Sequence, residues 1–260
     1  MSGKRAKFHL LVILLSMTVM LPAFGVSAEG TTMSVTPCST PPTNQSQSPI
    51  VIEPAFTLLP TSKQISFYYP AFSPVIENTG REIEIFENVS QPSSSGKVTV
   101  NHVDYFLERF HFHSNAEHHL KLSHQPAVEY PLEIHFVHKE ALDPLNPNKV
   151  RGTVVVAVFI EAGNSSGELA AIFDNLPTVP HTSYTLNDVI NLNYLIPEGT
   201  FYHYNGSLTT PDYCEGVQWY VFKEPITLTA AHIQNLKALY PNNDRLPQDR
   251  NHRMIYKGLY

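Results

Sequence analysis

The sequence has no surplus of positive charge. Its 17 Lys and Arg stand against 23 Asp and Glu, a net charge of -6 with histidine neutral. No basic stripe is available for a phosphate backbone, which argues against a nucleic-acid partner. Cysteine is scarce, with two residues, so at most one internal disulfide can form. Long helix-period runs are few, while proline is frequent at 21 residues. That combination favours many short strands and loops over a helical bundle. No internal repeat and no convincing domain boundary interrupts the chain. Only one apolar run approaches membrane-spanning length, and it lies at the N-terminus.

What is present is enough apolar material for a core. The chain has 260 residues, 42% hydrophobic and 11% aromatic, which excludes global disorder and fits one large domain or two small ones. Lys4, Arg5 and Lys7 precede an apolar run from Phe8 to Val26, and Val26-Ser27-Ala28 has the small-x-small form of a cleavage site. Residues 1–28 therefore read as a signal peptide, with an uncleaved anchor as the alternative. The protein is expected to be exported, periplasmic or secreted. In that setting Cys38 and Cys214 are expected to pair as a disulfide, two free thiols being the other reading. Residues 29–48 are rich in Ser, Thr, Pro and Gln and read as an irregular tail. Residues 49–260 form the folded domain.

Alternation predicts strands over Lys63–Tyr69, Glu82–Phe86, Lys97–His102, Tyr105–His113 and Pro131–His138. Glu82-Ile83-Glu84-Ile85 alternates charged and apolar residues, as a half-exposed strand does. Arg151–Glu161 is nearly continuous in apolar residues and reads as a buried central strand. Helices are expected over Glu168–Asn175 and Thr229–Ala238, with a short helical turn at Leu186–Asn191. The fold class is mainly β with peripheral helices.

The chemistry concentrates in one stretch, Arg109 to His119. If Phe110–His113 is a strand, His111 and His113 share one face while Phe110 and Phe112 turn to apolar packing. His135, on a neighbouring strand, would bring a third imidazole to the same point. Three neutral nitrogens with an open fourth position suit a catalytic zinc site. The alternative is a chance HxH in a chain with 13 histidines. His111, His113 and Glu117 also fit the opening of a cupin motif, but Tyr105 and His124 stand where a cupin would want glycine.

Several separated segments, in order, resemble the α-class carbonic anhydrases. They are Gln47-Ser48-Pro49-Ile50, Asn78-Thr79-Gly80, Phe110–His113 with Glu117-His118, Glu133–His138, Gly206–Pro211, Glu215–Trp219 and, more loosely, Asn243–Gln248. The spacing from His113 to Glu117 resembles bacterial members. The resemblance implies a single domain around a large central, mostly antiparallel, twisted β-sheet of that type. It implies reversible hydration of carbon dioxide to bicarbonate and a proton, a lyase reaction, with Zn2+ held by His111, His113 and His135. Thr209 would donate its hydroxyl proton to Glu117 and so orient the attacking hydroxide. Thr210 would steady bicarbonate. Val137, Val155, Leu208, Val217 and Trp219 would wall the carbon dioxide pocket. Glu133 would hold the free ring nitrogen of His135. Sulfonamide-type inhibitors are expected to bind, and a homodimer is allowed. The competing function is a non-catalytic carbonic-anhydrase-like binding or surface module.

Three positions depart from that pattern. Arg81 stands where the family has its proton-shuttle histidine, and a guanidinium cannot relay protons. Arg109 replaces the glutamine that accepts the N–H of the first zinc histidine, so His111 loses an expected partner. Cys214 lies one place late, after Thr210-Pro211-Asp212-Tyr213.

Overall fold

A computed structural model describes residues 42–53, 57–58, 65–88, 96–122, 125–146, 149–165 and 167–260. The expected signal segment, most of the N-terminal tail, Cys38 and His124 lie outside the described residues. No helix among the described residues is long and apolar enough to cross a membrane.

In chain order, the first strands are β1 (Val51–Ile52), β2 (Thr57–Leu58), β3 (Ile65–Tyr68), β4 (Pro74–Asn78), β5 (Ile83–Glu87) and β6 (Lys97–Val100). The two site strands frame a short one: β7 (Val103–His113), β8 (His119–Leu120) and β9 (Leu132–Glu140). After β10 (Thr153–Ala162) come helix α1 (Gly167–Phe173), β11 (Thr182–Thr185), β12 (Thr200–Ser207), β13 (Glu215–Phe222) and β14 (Ile226–Leu228). Helix α2 (Ala230–Leu239) and β15 (Ile255–Leu259) complete the chain.

One large sheet carries nearly all the strands, ordered β11-β4-β5-β7-β9-β10-β13-β12-β15-β2. Most neighbours are antiparallel; the parallel pairs within this sheet are β10 with β13 and β14, and β15 with β2. The expected mainly-β architecture and mostly antiparallel sheet are what the chain adopts.

The sheet buries both faces at its centre, and strict alternation decides which residue goes where. Phe110, Phe112, Leu132, Ile134, Phe136, Val154, Val156, Val158, Tyr220 and Phe222 enter the larger core. Their neighbours Val137, Val155, Ala157, Phe159, Val217, Trp219 and Val221 form a second cluster on the opposite face. Each large side chain so buried contributes about 1.5–3 kcal/mol relative to exposure. Strand β10 supplies both clusters, which is why its sequence is continuously apolar.

Strand β7 changes face partway. Tyr105 and Leu107 point into the larger core, and so do Phe110 and Phe112. The extra residue is taken up by a register shift between Leu107 and Arg109. This bulge turns Arg109, His111 and His113 to the face of the smaller cluster.

Two local expectations are corrected. Leu186–Asn191 is not helical; the short 3-10 turn is Leu192–Leu195, because the Asn191 side chain caps it by accepting from the Asn193 backbone N–H. Thr200–Ser207, whose end reads as loop in the sequence, is a full strand between β13 and β15. At α2 it is Thr229 that caps, accepting from the His232 backbone N–H. The packed body also begins before Pro49, since Gln47 and Ser48 are buried.

Candidate metal centre

His111 and His135 are directly opposed across β7 and β9, and His113 is opposed to Glu133. All four are buried. Antiparallel pairing places such opposed side chains within contact reach, and one nitrogen from each of the three histidines lies within 4.8 Å of the others. The Nε2 atoms of His111 and His113 are 3.0 Å apart.

The partners of the rings decide which nitrogens are free. His113 Nδ1 lies 3.1 Å from the Asn243 carbonyl oxygen, which can only accept. The proton therefore sits on Nδ1, and Nε2 offers a lone pair. His135 Nε2 lies 2.8 Å from Glu133 Oε1, so that ring presents Nδ1 unprotonated. Glu133 also accepts from the His118 backbone N–H at 2.8 Å and from His118 Nδ1 at 2.7 Å. Burial would raise the Glu133 pKa, but His118 and His135 outweigh it and hold the carboxylate ionised. His118 goes on to the Tyr204 hydroxyl at 2.7 Å, and that hydroxyl to Ser48 Oγ at 2.8 Å. Gly206 lets this network close, because a Cβ there would collide with Ser48 Oγ.

His111 has no such support. Its Nδ1 is buried with no hydrogen-bond partner. Arg109, one place removed on the same face, offers only donors. Its Nε lies 2.9 Å from Glu84 Oε1, an ion pair without hydrogen-bond alignment. Burial, with His113 and His135 beside it, holds the His111 imidazole well below its ordinary pKa. His135 is also lowered by burial, against the pull of Glu133. Burial acts the same way on His113, but the carboxylates of Glu117 and Glu82 prevail and its pKa is raised.

These features fit a divalent cation. Two lone pairs are forced toward one point, a third imidazole stands 3.0 Å from one of them, and the surrounding carboxylates favour positive charge there. Three imidazoles in a site with an open side are a zinc donor set. His118, Glu133 and His135 also come close enough to be a metal group, but their nitrogens and oxygens are already joined by the hydrogen bonds described.

A cavity opens onto His111 and His135. Thr209, Thr210 and Arg109 give it polar walls, and Val137, Val155, Leu208 and Trp219 an apolar one. Val217 is not among the lining residues; it packs behind them in the smaller cluster. Glu117 is buried, and its Oε1 accepts from the Arg245 backbone N–H at 2.8 Å. Its Oε2 has no hydrogen-bond partner, and the Thr209 hydroxyl makes no described bond to it. Arg81 is exposed in the turn before β5. Trp219 Nε1 donates to the Ser207 carbonyl at 2.9 Å, which anchors the strand end leading to Thr209.

Sequence reading passed over Asn243, Arg245, Tyr204 and Glu82. Arg245 links three segments: its backbone holds Glu117, its guanidinium donates to Gln47 Oε1 and Ser48 O at 2.9 and 2.7 Å, and it stacks 3.8 Å over the Tyr213 ring. Asn243 and Arg245 fall in the loosely matching segment near the C-terminus, which was the only available signal.

A mainly-β enzyme fold with a histidine cluster at the base of a half-polar, half-apolar cavity is thus defined. The family model of eukaryotic-type carbonic anhydrases matches residues 35–257. A carbonic anhydrase of Neisseria gonorrhoeae is 33% identical over 216 residues, covering 82% of this chain and 77% of that protein. The α-carbonic anhydrase of Photobacterium profundum superposes with a TM-score of 0.69 at 30% identity, covering 82% of this chain and 89% of that one. The α-carbonic anhydrase of Thermovibrio ammonificans, solved with the inhibitor sulfanilamide, gives 0.70 at 30% identity, with 82% and 87% covered. The chain belongs to the eukaryotic-type, or α, carbonic anhydrase family, and it is an enzyme of carbon dioxide hydration. The cupin alternative and the non-catalytic module are set aside with that result.

Proposed function

We propose that the protein is a zinc-dependent carbonate dehydratase, exported from its cell, that interconverts carbon dioxide and bicarbonate. The observation that carries this is the pair of lone pairs fixed on His113 and His135 beside His111, at the base of a cavity with one apolar wall. His111 Nε2, His113 Nε2 and His135 Nδ1 would hold the ion. Bound there, zinc would supply hydroxide near neutrality by lowering the pKa of water to about 7, carbonic anhydrase being itself the type case for that value.

The chain's own groups do the rest. Neutral imidazoles leave the ion's charge uncompensated, which favours the hydroxide. Asn243 O and Glu133 keep the His113 and His135 tautomers fixed. Glu117 has one oxygen engaged by the Arg245 N–H. The other, buried and unpartnered, is the acceptor that the Thr209 hydroxyl would use, which would leave the Thr209 oxygen free to accept a hydrogen bond on its cavity side. Thr210 would steady the bicarbonate. Val137, Val155, Leu208 and Trp219 exclude water on the side where the apolar substrate waits.

The same reading includes a Cys38–Cys214 disulfide. Supporting it, Thr43, Ser46 and Gln47 all bind the carboxylate of Glu215, next to Cys214 in the sequence. Zinc analysis together with stopped-flow carbon dioxide hydration, with and without a sulfonamide, tests the function. One zinc per chain and sulfonamide-sensitive hydration are expected; full zinc without hydration overturns the catalytic reading.

A further inference from the structure

We propose that Tyr213 is a positioning residue for the reaction, holding the Thr209–Thr210 loop in register with the carboxylate of Glu117. The inference rests on the Thr209–Glu117 pairing proposed above and adds to it a residue outside both the metal centre and the cavity wall.

Tyr213 stands in the place that the family pattern gives to cysteine, one before Cys214. The chain uses the ring it gains there. The Arg245 guanidinium lies over it, with Cζ 3.8 Å from the ring centroid. Arg245 also donates through Nη1 to Gln47 Oε1 at 2.9 Å, and Gln47 Nε2 donates to the Tyr213 carbonyl at 3.3 Å. Tyr213, Arg245 and Gln47 thus form a closed triangle with two hydrogen-bonded sides and one stacked side.

Both partners of the proposed pair are tied to this triangle through the backbone. The Tyr213 N–H donates to the Thr210 carbonyl at 3.0 Å, and the Leu208 N–H donates to the Cys214 carbonyl at 2.9 Å. Thr209 and Thr210 therefore lie in a loop whose ends are fixed at Tyr213 and its neighbour. On the other side, the Arg245 N–H donates to Glu117 Oε1 at 2.8 Å. The donor and the acceptor come from distant segments, and the Tyr213–Arg245 stack joins their two holders directly.

The backbone of the loop fits such a role. Asp212 and Tyr213 have φ of +77° and +44°, the left-handed region that residues other than glycine seldom adopt. Such a conformation costs free energy and persists where surrounding contacts over-determine it, most often at functional sites. The stack on Arg245 and the bond from Gln47 are contacts of that kind. A hydroxyl-to-carboxylate hydrogen bond weakens steeply as its angle opens. Loosening the loop would therefore cost the orientation of Thr209 before it disturbed the apolar wall.

The test is stopped-flow carbon dioxide hydration, with zinc content measured, for wild type, Tyr213→Leu, Tyr213→Phe, Glu117→Gln and the double variant Tyr213→Leu/Glu117→Gln. Tyr213→Leu is expected to lower kcat about tenfold, the size of one desolvated cation–π contact, at unchanged KM and one zinc per chain. Tyr213→Phe, which keeps the ring, is expected to restore the rate. The double variant is expected to be no slower than Glu117→Gln alone, because with the acceptor gone there is no register left to keep. Where Tyr213→Leu does not fold, Arg245→Leu, which removes the other half of the stack and keeps the backbone N–H, is read in the same way. Wild-type kcat in Tyr213→Leu, or losses that multiply in the double variant, overturns the inference while leaving the Thr209–Glu117 pairing intact. Wild-type kcat in Glu117→Gln overturns both.

Discussion

Arg109 Nε lies 2.9 Å from Glu84 Oε1, and in that pairing the guanidinium leaves His111 Nδ1 buried without an acceptor. Replacing Arg109 with Gln supplies an acceptor at the same place on β7. The expected outcome is tighter zinc, by about 10-fold or more, read by chelator competition. Burial, opposed by Arg109 and reinforced by Glu82, already pushes the Glu84 carboxyl up to about 7. The substitution is therefore made together with Glu84→Gln, so that no unpaired acid is left behind. An unchanged dissociation constant in the double variant would show that the orphaned nitrogen costs nothing.

Glu117 is gripped by the Arg245 backbone through one oxygen only. Glu117→Gln puts an amide N–H where an acceptor is required, so the Thr209 hydroxyl can no longer donate there. Carbon dioxide hydration is expected to fall by about 10²–10³-fold in kcat, comparable to loss of one fixed catalytic hydrogen bond. Zinc content should hold at one per chain. Wild-type kcat in this variant would remove Glu117 from the reaction.

Arg81 occupies the exposed turn between Asn78 and β5 and cannot carry protons. Turnover is expected to climb with buffer concentration and to plateau below that of an Arg81→His variant when buffer is low. Stopped-flow rates across a buffer series measure this. Superimposable buffer curves for the two proteins would exclude the position as a proton exit.

His138 lies deep in the larger core face of β9, 2.8 Å from the Tyr69 hydroxyl through Nε2 and 3.3 Å from the Val154 carbonyl through Nδ1. Burial pushes its pKa from an ordinary 6.5 down to about 3. Between those values the unfolded chain binds a proton that the folded chain refuses. Stability is therefore complete above about pH 6.5 and is lost as pH falls toward 3, by an amount of order a few kcal/mol. Denaturant unfolding at stepped pH should show a shallower acid decline in His138→Gln than in wild type. Parallel declines would assign the acid sensitivity elsewhere.

Much of the site is legible before folding because alternation is a local rule. His111 and His113 share a face with each other and not with Phe110 and Phe112, whatever the sheet looks like. The family segments pointed to His135, Glu117, Thr209 and, apart from Val217, the apolar wall, and the continuous apolar run of β10 already implied burial on both faces. The acid-apolar alternation of Glu82–Phe86, by contrast, reads only as a half-exposed strand. Nothing in it says that the charged edge meets His111, since that contact depends on how β5 is laid against β7.

The sequence by itself determined the mainly-β class, the histidine pair and the absence of an acceptor at Arg109, because side-chain chemistry and period-two alternation are local properties. Only the tertiary structure decided that a bulge after Leu107 turns His111 and His113 toward the smaller cluster, that Asn243 and Arg245 return from the far end of the chain to fix His113 and Glu117, and that Glu82 stands 3.8 Å from His111 Nε2. Register, crossover and loop closure bring together residues that no local rule connects.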